Sequence, residues 1–162
     1  MGRLQKLDGD RDRRIISSDS RDRTEGIGRA VGSLIPAGTV ISLEGGLGAG
    51  KTVLAKGICN GLGIGGDVLS PSFILVEEYR GEFRVFHFDL YRLRELGEVE
   101  EVGFFDAIDG ENIVIVEWGD RLPGGPDVYD ITIGIRITGD GEREISITAP
   151  GGFLGMVEWE DM

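Results

Sequence analysis

The chain has 162 residues, 40% apolar and 28% charged, the size and balance of one soluble globular domain with a core of its own. A single cysteine, Cys59, excludes an internal disulfide or a CxxC metal site, and a single histidine, His87, excludes a multi-histidine metal centre. The net charge is −12, and beyond residue 25 only ten bases face 23 acids, so no broad basic face for DNA or RNA is expected.

Residues 1–21 are polar and mixed in charge and read as a flexible tail before a domain at 22–150, with 151–162 as a C-terminal extension. The first twenty residues lack the apolar run of a secretory signal, and no stretch nears the roughly 18 apolar residues of a membrane span. A cytoplasmic location without membrane attachment is the expectation. Asp22 and Glu25 resemble a capping pair, and Ile27, Val31, Leu34 and Ile35 follow at helical spacing. Gly26, Gly28 and Gly32 weaken that helix on propensity.

TVISLEG (39–45) reads as a short buried strand, and Val53, Leu54, Ile58 and Leu62 as a helical stripe. Cys59 falls within that helix as a small core residue. FILVEEYR (73–80) and FRVFHFDL (83–90) flank Gly81 as a hairpin. Leu93, Leu96 and Val99 suggest a short helix, and NIVIVEW (112–118) a buried strand ending in an acid. YDITIGIRI (129–137) alternates, turns at Asp140-Gly141 and returns as REISIT, a C-terminal β-hairpin with one solvated face.

Between the first strand and its helix lies GGLGAGKT, which matches G-x-x-x-x-G-K-S/T at Gly45, Gly50, Lys51 and Thr52. With this composition, a chance match is expected roughly once in a hundred such chains. The chemistry explains the spacing. Glycines let the backbone approach phosphates, and successive N–H groups form an anion nest at a helix N-terminus. Lys51 would bridge the β- and γ-phosphates, and the Thr52 hydroxyl would hold Mg²⁺.

Such a loop needs a further acid near the metal, usually at a neighbouring strand end. VFHFD ends at Asp89 and IVIVE at Glu117; either could hold the metal through its water shell while the other positions an attacking water. Ser70-Pro71-Ser72 could supply a second hydroxyl to Mg²⁺ from a switch-like loop. His87 shares a strand face with Asp89. The guanine-reading N/T-K-x-D string is absent beyond the loop, and Arg80, Arg92 and Arg121 are the basic neighbours from which no arginine finger can be picked out.

Together these residues resemble the TsaE (YjeE) family over about residues 22–122: Thr24, GGLGAGKT, SPSF at 70–73, VEEY…FHFDLYRL at 76–93 and IVEWGDRL at 115–122. The resemblance implies a single α/β P-loop NTPase-like domain with a mixed parallel and antiparallel sheet flanked by helices. It implies ATP or ADP and Mg²⁺ as cofactors, and ATP hydrolysis needed for threonylcarbamoylation of adenosine 37 in tRNAs reading ANN codons. TsaD and TsaB are the implied partners, with tRNA reached only through them. By position, Gly45, Gly46, Leu47, Gly48, Ala49, Gly50, Lys51, Thr52 and Val53 would cradle the phosphates. Ser72 stands where the family usually has Thr near Mg²⁺. Asp89 is the implied metal-side acid and Glu117 the implied acid near the γ-phosphate, with Trp118 beside the nucleotide. Thr24 is implied on the adenine side. Gly46 departs from the family's usual Asp. Two rival readings are a small-molecule P-loop kinase, which would want a basic lid not evident between 94 and 128, and a nucleotide-dependent binding module with little catalysis.

Overall fold

The computed structural model describes residues 10–123, 125–160 and 162. Seven strands form one mixed sheet in the order β1-β7-β6-β2-β5-β4-β3. The strands are β1 (Arg11–Ser18), β2 (Val40–Gly45), β3 (Val76–Arg80), β4 (Arg84–Asp89), β5 (Ile113–Glu117), β6 (Ile131–Ile137) and β7 (Arg143–Pro150). The central β6-β2-β5-β4 run is parallel, and hairpin partners close it antiparallel on both sides.

The alternating faces of β4 and β5 separate two cores. Val85, Ile113 and Ile115 face α1 (Arg21–Gly32) and α2 (Lys51–Gly61). Phe88, Val114 and Val116 pack on the opposite side with residues of α3 (Leu96–Glu101) and α4 (Phe104–Ala107). Full burial of β5 explains its unbroken apolar run. No helix among the described residues is long and apolar enough to cross a membrane.

Three local expectations change. The stretch read as a flexible tail contains β1, paired along its whole length with β7 from Arg11↔Pro150 to Ser18↔Arg143. It is an edge strand, so backbone pairing holds it while only Ile16 and Ser18 turn inward; charged residues on its other side suit an edge. Residues 1–9 lie outside the described part. The cap of α1 is Ser20, whose hydroxyl accepts from the Arg23 N–H, so the helix starts before the expected Asp22 pair. The segment set apart after 150 packs on the main core: α5 (Phe153–Met156) buries Phe153 and Leu154 there, and Val157 follows them.

Two glycines of α1 are where two helix backbones meet. A methyl added at Gly28 would strike the Leu54 carbonyl, and one at Gly32 the Ile58 carbonyl. On α2, Gly57 and Gly61 meet the carbonyls of Glu25 and Arg29 in the same way. This crossing seats α2, and therefore its N-terminal residues Lys51 and Thr52, on the sheet.

Candidate functional site

The site is built at the carboxyl ends of three adjacent parallel strands, β2, β5 and β4. Chain leaving β2 at Gly45 turns through residues 46–50 and enters α2 at Lys51. Gly50 precedes the helix at φ 116°, a left-handed conformation that favours glycine, and no side chain caps the helix there. The first N–H groups of α2 are thus left for an anion.

Lys51 is 5% exposed, and its amine donates to the carbonyls of Gly45 and Gly46, each at 2.8 Å. The amine also lies over the Trp118 ring, 3.7 Å from its centre. Burial pulls the Lys51 pKa down, against the opposing pull of the Glu117 and Asp89 carboxylates. Trp118 follows β5 with φ 61°, a strained value for a bulky residue that turns the chain sharply over the loop.

Asp89 and Glu117 sit opposite each other in the β4–β5 register, and both are buried. Their contacts differ. Glu117 accepts from the Thr52 hydroxyl at 3.0 and 3.2 Å and meets His87 Nε2 at 2.9 Å. Asp89 accepts from the Ser72 hydroxyl at 2.9 Å, more distantly from Ser70 at 3.4 Å, and from the Tyr91 N–H at 2.8 Å. The acid in contact with Thr52 is Glu117; the one that anchors the 70–72 loop is Asp89.

Between these groups lies a cleft of about 300 Å³. Leu47, Gly48, Gly50, Lys51, Thr52 and Val53 form one wall. Ser70, Ser72, Asp89, Glu117 and Trp118 form the other. Gly45 and Gly46 join this constellation through the carbonyls that hold Lys51, while Ala49 turns into the core. Thr24 does not reach the cleft. It is 2% exposed, bonds to Ser18 Oγ at 2.7 Å and the Ser20 carbonyl at 3.0 Å, and lies behind Gly50.

The oxygen donors Thr52, Ser72, Asp89 and Glu117 suit a hard cation such as Mg²⁺. Among the described residues no three His, Cys, Asp or Glu are grouped to hold a metal unaided.

One contributor was not singled out from sequence. Arg143 of β7 donates to the Ala49 carbonyl at 2.7 Å and braces the glycine loop from behind. Nothing in its local sequence signals this, since the two segments are 94 residues apart. Of the three arginines considered, Arg121 reaches the rim, stacked 4.9 Å from the Trp118 ring and 4.6 Å from Tyr91. Arg80 pairs with Glu78, and Arg92 lies over Phe73.

The chain is similar to known proteins over most of its length. The family model described as "Threonylcarbamoyl adenosine biosynthesis protein TsaE" matches residues 18–145. A Treponema pallidum protein named tRNA threonylcarbamoyladenosine biosynthesis protein TsaE is 37% identical over 134 residues, covering 83% of this chain and 98% of that one. The Bacillus subtilis protein of the same name is 37% identical over 131 residues, covering 80% and 82%. The crystal structure of Bacillus subtilis YdiB superposes with a TM-score of 0.68 at 31% identity, covering 91% of this chain and 93% of that one. The chain belongs to the TsaE family of tRNA threonylcarbamoyladenosine biosynthesis proteins.

Proposed function

We propose that this chain is a cytoplasmic, Mg²⁺-dependent subunit that binds and hydrolyses ATP. In this reading it acts with TsaD and TsaB in the threonylcarbamoylation of adenosine 37 in tRNAs reading ANN codons. The observation that carries the reading is the Thr52–Glu117 contact across the mouth of the phosphate loop, with Asp89 and Ser72 facing it. A P-loop hydroxyl bonded to a strand-end acid is what a metal-assisted attack on a terminal phosphate requires.

The residues divide the work. N–H groups of the loop and of the α2 N-terminus bind phosphate oxygens, and Lys51 exchanges its carbonyl partners for them. Thr52 would offer a hydroxyl oxygen to the cation while its O–H goes on donating to Glu117. Asp89 and Ser72, bonded to each other on the facing wall, would help to hold the cation. Bound Mg²⁺ would neutralise charge developing on the transferred phosphoryl group. Glu117 orients the attacking water and takes up its proton. The acidity of the chain fits a subunit that works on a tRNA enzyme without gripping tRNA itself.

The test is ATP hydrolysis with and without a TsaD–TsaB pair from the same source, with Lys51→Ala as the blank. Turnover that rises with the pair and disappears in the blank is expected. Confirmed nucleotide binding with no turnover under either condition would overturn the hydrolytic role. Transfer of the γ-phosphate to a metabolite instead of water would make the chain a kinase.

A further inference from the structure

Glu117 is the acid on which the proposed hydrolysis turns, and it is 3% exposed. A buried carboxylate needs donors for its lone pairs, and the last torsion of a glutamate side chain is broad and roughly two-fold. Packing alone therefore does not decide which oxygen faces the cleft. Thr52 does not decide it either, because its hydroxyl reaches both oxygens, at 3.0 and 3.2 Å. His87 does: Nε2 lies 2.9 Å from Oε1.

The ring comes from the neighbouring parallel strand. Asp89 is opposite Glu117, and His87, two residues earlier on the same face, is opposite Ile115. It is completely buried and does not line the cleft. Its Nδ1 has no hydrogen-bond partner among the described residues, so the Glu117 contact is the one that orients the ring. An ionised carboxylate is acceptor only, so Nε2 must carry a proton to make this contact; a bare Nε2 would set lone pair against lone pair.

We infer that His87 is a positioning residue for Glu117: Nε2–H pins Oε1, which Thr52 also reaches, and so fixes the last torsion of the carboxylate and leaves Oε2 without a contact from the ring. The inference rests on the hydrolytic reading of the site and adds to it a residue that touches neither nucleotide nor metal. Loss of the pin lets the carboxylate swing about its last torsion, which costs rate and not nucleotide affinity.

The experiment compares the full chain with His87→Leu and His87→Gln in the turnover assay above. Leucine fills a similar volume without a donor, and glutamine carries an N–H at similar reach. In His87→Leu, kcat falls about 10- to 100-fold while KM for ATP stays within about twofold; His87→Gln recovers to within about threefold of the parent. A residue that only packs the core would give the reverse order, the apolar variant matching or exceeding the amide. Because His87 is the only histidine, the ring nitrogens give unambiguous signals in a long-range 1H–15N spectrum of the unmutated chain, whatever the variants do to folding. A proton on Nε2, with a signal that moves in Glu117→Gln, is expected. An unprotonated Nε2, or a folded His87→Leu with parental kcat, overturns the inference. Parental kcat in His87→Leu leaves the ATPase reading standing, whereas no turnover by the parent chain with its partner pair removes both.

Discussion

Lys51 Nζ stands 3.7 Å above the centre of the Trp118 ring while donating to the Gly45 and Gly46 carbonyls. The amine is held by the loop's own oxygens and one aromatic face. A polyphosphate that took the amine would compete with these contacts, and a cation over a ring contributes about 0.5–2 kcal/mol. Nucleotide binding would therefore change the surroundings of the indole. Titration with ADP should alter tryptophan fluorescence, and the change should survive Trp159→Phe and disappear in Trp118→Phe. In Lys51→Ala, affinity should fall about 10- to 100-fold, the worth of a charge-assisted contact. Equal affinity in that variant would remove Lys51 from the phosphate site.

Glu117 separates binding from chemistry. It faces Thr52 and the cleft but forms no part of the anion nest. Glu117→Ala should keep ADP affinity within about threefold and lower ATP turnover at least about 100-fold, the usual worth of a positioned acid or base. Turnover within a factor of two of the parent would end its proposed role.

The helix crossing behind the loop gives a prediction of opposite signs within one helix. A methyl at Gly26 meets only atoms of Met162 and Arg29 at 3.6 to 3.8 Å, ordinary contact distances. Gly26→Ala should therefore stabilise the chain by about 0.5–1 kcal/mol through lower backbone entropy in the unfolded state. A methyl at Gly32 would strike the Ile58 carbonyl and backbone, so Gly32→Ala should cost about 1–3 kcal/mol as the helices part. Chemical denaturation of both variants reads the two signs, and a stabilised Gly32→Ala would show that the helices do not touch there.

That same crossing shows what the sequence could and could not disclose. The turn from β2 through the glycines into α2 was legible because strand, glycines, Lys51 and helix are contiguous. The strand-end acids were legible because an unbroken apolar run ending in a carboxylate describes a buried strand reaching a surface. Gly28 and Gly32 looked like a propensity cost, because their reason for being small lies in α2, 26 residues on at Leu54 and Ile58. β1 looked like tail because an edge strand needs few apolar residues, and its partner β7 is over 100 residues away. Thr24 follows the family's order along the chain, yet its hydroxyl is used by Ser18 and Ser20 beneath the loop. The His87–Glu117 contact depends on the pairing of β4 with β5, which no single-strand pattern reveals.

Burial pushes the Cys59 thiol up to about 12, from an ordinary value near 9. Between those values the unfolded chain ionises this thiol and the folded chain does not. The folded state then binds more protons, so stability falls as pH rises above about 9, by up to about 1.4 kcal/mol per unit. Below pH 9 both states are protonated and the group contributes no slope. Tyr79, pushed up to about 12 by burial, adds to the fall above pH 10. Denaturation at pH 8, 9 and 10 under reducing conditions should show a shallower alkaline loss in Cys59→Ala. An identical slope in the variant would show that the thiol ionises in the folded chain as readily as in the unfolded one.

Two duties fall on Asp89 that Asp89→Ala cannot separate. It anchors the 70–72 loop through Ser72 and caps the Tyr91 N–H, and it also presents charge to the cleft opposite Thr52. Asp89→Ala removes both. Asp89→Asn keeps an oxygen acceptor for those bonds and removes only the charge. If Asp89 serves the cation, both variants should need about tenfold or more Mg²⁺ for half-maximal turnover, because a hard cation loses an anionic neighbour in each. If its work is to hold the loop, Asp89→Asn should titrate like the parent while Asp89→Ala loses activity at every Mg²⁺ concentration. The Mg²⁺ titration of Asp89→Asn therefore decides between them, and the mutual approach of Asp89 and Glu117 around one cleft favours the first outcome.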